Sequence, residues 1–101
     1  MGINMTASED GTRVTIAVSG KFDFQLYDDF RAAYAATAGN GVAYIVDLSE
    51  TEYLDSSALG MLLLLREHAG GEASDIEIAR ASSRVRRILD VANFSKLFRF
   101  Q

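Results

Sequence analysis

Three times in 101 residues, a short stretch with strand spacing gives way to a longer one with helical spacing, and this alternation constrains the fold more than any other feature. Ile3, Met5 and Ala7 alternate with polar residues, "EDGT" at 9–12 supplies a turn, and Val14, Ile16 and Val18 alternate again, which predicts a hairpin. Residues 24–38 then place Leu26, Phe30, Ala33 and Tyr34 on one side of a helix that Gly39-Asn40-Gly41 is expected to end. "VAYIV" (42–46) is an unbroken apolar run, as in a parallel strand covered on both faces. A second helix is expected from about Ser57 to Ala69, stopped by Gly70-Gly71, and "DIEIA" (75–79) reads as the next strand. A third helix begins near Ser82 or Ser83 with Val85, Ile88, Leu89 and Ala92 as its stripe, before a last short strand around Leu97, Phe98 and Phe100. The order β-β-α-β-α-β-α-β predicts a single α/β domain over 1–101, with a mixed, mostly parallel sheet, helices and an N-terminal hairpin.

Composition narrows the function classes. The chain has no cysteine, so it offers no disulfide framework or thiolate metal site, and a cytoplasmic home is expected. Its longest apolar run, Ala58 to Leu65, is too short to span a membrane, and no targeting segment is legible. The net charge of −4 opposes a nucleic-acid binder; the one basic cluster, Arg80, Arg84, Arg86 and Arg87, reads as the solvated side of a helix. His68 is the only histidine, with no second ligand for a metal, and lies about 18 Å of helical rise from Ser56, too far to serve it as a base. "GNG" lacks the spacing of a phosphate loop, and the acids Asp28-Asp29 and Glu50-Glu52 are explained by solvation. No catalytic residue, metal site or cofactor is expected, and the chain does not read as an enzyme.

Sites in α/β sheets collect where strands end and helices begin. Two such junctions stand out, "SGKFDF" and "DLSETEYLDSS". In the second, Ser56 is expected to cap the leucine-rich helix, although the capping-box partner three residues on is Leu59 instead of Glu or Gln. That helix is apolar on two sides. Leu59, Leu62, Leu65 and Ala58 share one, while Met61 and Leu64 lie on the other beside Ser57 and His68, so the second side is either covered within the domain or free to dock a partner. A phosphate on a serine at the helix tip would be favoured by the helix dipole and would burden an apolar contact surface with charge, a switch that stands beside simple capping as the use of Ser56.

These segments resemble STAS domains, in particular the bacterial anti-sigma-factor antagonists. "VSGKFDF" resembles the family's strand-to-helix segment with its glycine and aspartate, here Gly20 and Asp23, and "VDLSETEYLDSSALGMLLLL" resembles its signature of an aspartate, two hydroxyl residues, a small residue, Leu and Gly. The resemblance implies partner switching. The unphosphorylated form binds an anti-sigma factor and frees the sigma factor, a serine kinase, often the anti-sigma factor itself, breaks the complex, and a PP2C-type phosphatase restores it. It also implies that Ser56 is the phosphoacceptor, Ser57 the second hydroxyl, and Asp23 and Asp55 the flanking acids; with Met61 and Leu64 these make the expected partner-binding set. "YLDSSALGMLLLLREHAGG" resembles gammaproteobacterial antagonists tied to two-component phosphorelays that control motility and biofilm formation. Ala58 stands where the family commonly has glycine, and the sequence stops at Gln101, where many STAS domains continue into another helix, which would leave apolar surface for a partner or a dimer; a monomer or a weak homodimer is expected. The alternatives within the family are a structural subunit of a larger assembly, which would keep Ser56 only as a cap, and a nucleotide-binding domain, for which no phosphate cradle is legible.

Overall fold

Asp10 builds the first turn. Its Oδ1 accepts hydrogen bonds from the Ser8 hydroxyl (2.7 Å), the Thr12 hydroxyl (2.8 Å) and the Thr12 amide (3.1 Å). Those donors, the two hydroxyls foremost, hold its carboxyl at about 2, against 3.8 for an ordinary aspartate. The turn joins β1 (Gly2–Ala7) to β2 (Arg13–Phe22) as the predicted antiparallel hairpin. The computed structural model describes residues 2–101, and the chain continues through a 3-10 turn (Phe24–Leu26) into α1 (Tyr27–Ala35), β3 (Ala43–Leu54), α2 (Ser56–His68), β4 (Asp75–Ala79), α3 (Ser83–Val91) and β5 (Arg99–Phe100).

The sheet order is β1-β2-β3-β4-β5, with every pair after the hairpin parallel. Right-handed crossovers that always step in the same direction put all three helices on one face. Burial follows that rule: Val14, Ile16, Val18, Tyr44, Val46, Leu48, Ile76 and Ile78 are buried, whereas Thr15, Ala17, Ala43 and Ile45 are only half-buried. β3 is therefore covered by helices on one face, not on both as its unbroken apolar run suggests.

β3 is also much longer than expected. After Ala17, which sits opposite Asp47, the partner of Ser19 is Glu50; after Gly20, opposite Thr51, the partner of Lys21 is Tyr53. Each shift inserts one extra residue into β3, as a bulge does. The Val18 carbonyl at the first bulge accepts a hydrogen bond from the buried Thr51 hydroxyl at 2.8 Å, which satisfies a group that the interrupted ladder would orphan. The stretch expected as a junction loop is thus paired strand up to Leu54, and it carries the first residues of α2 to the end of β2.

Two helix ends differ in their use of glycine. Gly70 (φ 113°) follows the last residue capping α2, as a left-handed C-terminal glycine does. α1 instead stops at Ala35, before Gly39. Gly39 (φ 83°) lets its loop pass the end of α2: a Cβ there would come within 2.3 Å of the His68 carbonyl oxygen. His68 is half-buried, packs on Tyr34 and lies 3.1 Å through Nε2 from the Thr37 carbonyl. In the basic cluster, Arg80 pairs with Asp47, and Arg86 pairs with Asp90 and lies over the Phe100 ring, so two of the four guanidiniums are engaged within the domain.

Candidate functional site

Phe22 and Leu54 face each other at the last step of the β2–β3 ladder, and the Asp55 amide donates to the Phe22 carbonyl at 3.3 Å. Asp23 and Asp55, the next residue on each strand, therefore stand at the adjoining carboxyl ends of neighbouring strands. Each starts a helical turn. The Asp23 carboxylate accepts from the Gln25 amide at 3.0 Å, and the Asp55 carboxylate from the Ala58 amide at 3.1 Å.

The N-cap of α2 is thus Asp55 and not Ser56, which corrects the sequence-based expectation. Asp and Ser are equally good caps, and here the acid sits one residue closer to the strand end, where the chain is still extended (φ −113°, ψ −173°). Ser56 becomes the first helical residue. It is exposed, and among the described residues its hydroxyl has no hydrogen-bond partner, while Ser57 is half-buried. Apart from the Ala58 amide, the first-turn amides of α2 have no intrahelical acceptor, so the helix end still favours an added anion.

α2 buries Ala58, Met61, Leu62 and Leu65. Met61 is 3% exposed, so it belongs to the core and not to the docking side on which the helical wheel had put it. Leu64 is 46% exposed, as a docking residue must be, and Leu63, which sequence reasoning missed, is 39% exposed. At 100° per residue Ser56, Gly60, Leu63 and Glu67 fall on one line along the outer surface, with Leu64 beside it. Three of those four residues are glycine or polar, and that was the signal in the sequence: the solvent side of an otherwise apolar helix is the line its polar residues share. Two further exposed apolar groups sit at this end of the sheet. Phe24, stacked on Tyr27, follows Asp23, and Tyr53 lies two residues before Asp55.

Asp23 also lines a shallow hollow of about 340 Å³ with Lys21, Gln25, Leu26 and Glu52. Two carboxylates against one ammonium make it a poor cradle for a nucleotide's phosphates. Among the described residues no group of histidines, acids or cysteines is clustered to hold a metal, and no helix is long and apolar enough to cross a membrane.

Comparison with known proteins adds three findings. The family model described as "Mlab, STAS domain" matches residues 5–99. A STAS-domain containing protein of Pseudomonas aeruginosa (strain UCBPP-PA14) is 52% identical over 99 residues, which cover 98% of each chain. The fold is shared with the anti-sigma factor antagonist SpoIIAA in its unphosphorylated form (TM-score 0.72, 15% identity, 99% of this chain and 87% of that one). It is likewise shared with the Bacillus cell fate determinant SpoIIAA in the phosphorylated form (TM-score 0.70, 14% identity, 99% and 91%).

Proposed function

The chain belongs to the STAS-domain family, and we propose that within it the protein is an anti-sigma-factor antagonist whose binding is switched off by phosphorylation of Ser56. The observation that carries this is the position of Ser56: an exposed, unengaged hydroxyl on the first residue of α2, in line with Gly60 and Leu63 on the helix's outer surface. Capping does not explain it, because Asp55 already caps. SpoIIAA, an antagonist of this fold known in phosphorylated and unphosphorylated forms, supports carrying the same switch over to this chain.

In the unphosphorylated protein, Leu63 and Leu64 supply the apolar centre of the contact, and Asp23, Asp55, Ser56 and Ser57 its polar rim. Binding an anti-sigma factor there frees the sigma factor that it held. A serine kinase, supplied by the anti-sigma factor or a related partner, transfers the terminal phosphoryl group of a nucleoside triphosphate to the Ser56 Oγ, releasing the nucleoside diphosphate and the hydroxyl proton. The phosphate brings a charge of about −1.5 to −2 to a rim that already carries Asp55 and Asp23. Free first-turn amides stabilise it on the isolated domain, so the helix stays folded, whereas burying it under a partner costs desolvation without a counterion. The change is therefore in affinity and not in fold. A PP2C-type phosphatase resets the site, and the protein works in the cytoplasm as a binding module and not as an enzyme. The motif around Ser56 suggests a two-component relay governing motility and biofilm formation as the pathway.

The rival reading is a structural subunit of a larger assembly, favoured by the same exposed leucines, which a permanent partner would also cover. Phosphopeptide mapping of protein recovered from the cells that make it separates the two. The switch predicts a modified fraction at Ser56 that a Ser56→Ala variant lacks. Modification at Ser57 alone, or at neither serine under any growth condition, overturns it.

A further inference from the structure

Among the described residues β1, with the sequence GINMTA, is the only strand of the sheet without a charged residue. β2 carries Arg13 and Lys21, β3 Asp47, Glu50 and Glu52, β4 Asp75 and Glu77, and β5 Arg99. It is also an outer strand, paired on one side only, with Asn4 to Ala7 exposed. Edge strands are ordinarily protected from pairing with other chains by charge, proline or shortness. The opposite edge is protected in this way, since β5 has two residues and one is Arg99. The β1 edge has six residues, no charge and no proline.

The groups along that edge can be assigned. The Ser8 amide donates to the Arg13 carbonyl and the Gly2 amide to the Ser19 hydroxyl, each at 2.9 Å, so Gly2, Asn4, Thr6 and Ser8 turn toward β2. By the alternation of an antiparallel ladder, Ile3, Met5 and Ala7 present both N–H and C=O outward. The side chains of these three share the helix-covered face, because they pair with Val18, Ile16 and Val14.

We propose that β1 pairs antiparallel with β1 of a second copy of this chain, about a two-fold axis through Met5, so that two five-stranded sheets become one. In this register Met5 meets its own symmetry mate and Ile3 meets Ala7, and each such pair exchanges both backbone hydrogen bonds. A two-fold interface sets a patch against itself, so any charge near the axis would face the same charge. A strand free of charge suits that arrangement, and it is why a second copy is the occupant and not an acidic or basic peptide. Met5, 39% exposed in the single chain, would pack against its mate. The carboxyl ends of β2 and β3 would point to opposite ends of the joined sheet, leaving both Ser56 residues accessible and the dimer bivalent.

Sedimentation velocity from micromolar to near-millimolar concentration tests the pairing. The wild type should pass from monomer to dimer. Met5→Pro removes one outward N–H and none of the bonds to β2, a position where edge strands accept proline, and Met5→Lys sets like charges face to face. Each should raise the dimer dissociation constant by about tenfold or more while the thermal melt stays that of the wild type. The chain has no other thiol, so Met5→Cys adds a further readout. Cα atoms of such a pair lie about 5.5 Å apart, within disulfide reach, and oxidation should give covalent dimers much faster than Val91→Cys, which puts its thiol on the 80% exposed residue of α3. A wild type that stays monomeric throughout, a dimer unaffected by both Met5→Pro and Met5→Lys, or equal oxidation of the two cysteine variants would each overturn the pairing.

Discussion

The Asp55 carboxylate accepts from the Ala58 amide at 3.1 Å, so the cap of α2 and the proposed phosphoacceptor, Ser56, are two different residues. Asp55 anchors the start of α2, while Ser56 lies on the surface as the first helical residue, so the proposed modification would leave the Asp55–Ala58 bond in place.

Capping by Asp55 predicts how stability divides between the neighbours. Asp55→Ala should cost about 0.5–2 kcal/mol, the usual loss for a capping side chain, whereas Ser56→Ala should stay within about 0.5 kcal/mol of the wild type, as an exposed substitution does. Urea midpoints at matched slopes measure both. The opposite ranking would return the cap to Ser56.

Leu64 and Met61, three residues apart on α2, should respond to charge in opposite ways. Leu64→Glu adds a carboxylate at a 46% exposed position and should leave the melt of the free domain nearly unchanged. Under the proposed docking mode it should still weaken partner binding by about 2–5 kcal/mol, thirtyfold to several-thousandfold, because the added charge is buried in the complex. Met61→Glu puts an unpaired charge into the core, at 3% exposure, and should destabilise the domain by several kcal/mol. Thermal melts beside binding titrations read out both. A Leu64→Glu variant that binds like the wild type would remove α2 from the contact.

The hairpin turn gives a pH signature. The folded Asp10 carboxyl sits at about 2, below its ordinary 3.8, so the stability it contributes is present above the ordinary value and is lost as pH falls toward the folded one. Asp10→Asn, which cannot ionise, should therefore be less stable than the wild type at neutral pH, and the gap should narrow between roughly pH 4 and pH 2. Denaturant titrations of the pair across that range check it. A gap that held constant would mean that the Ser8 and Thr12 hydroxyls do not depend on the carboxylate's charge.

The element order, the hairpin and the two strand-to-helix junctions were legible in the sequence because each rests on a local signal: alternation at Val14, Ile16 and Val18, helical spacing at Phe30, Ala33 and Tyr34, and Gly70 after the last turn of α2. The length of β3 was hidden by its two bulges. An extra residue at each breaks the two-residue period from Asp47 to Tyr53, and the stretch then looks like a polar loop. The cap was misplaced by one residue because Asp and Ser compete for the position on nearly equal terms, and only the Phe22–Leu54 pairing fixes where the strand stops. Met61 and Leu63 exchanged places because leucines around most of α2 leave its rotation on the sheet to tertiary packing. The line through Ser56, Gly60 and Glu67 was the remaining clue.

In the proposed switch, charge on Ser56 releases a partner without disturbing the fold. The most direct measurement is quantitative co-purification from the cells that make this protein, comparing the wild type with Ser56→Ala and Ser56→Asp at equal abundance and with melts verified beforehand. The proposed switch predicts that the wild type and the alanine variant retain the same principal partner and that the aspartate variant, folded as well as they are, loses most of it. Equal retention by all three would contradict the switch and leave Ser56 an inert surface residue beside a permanent contact.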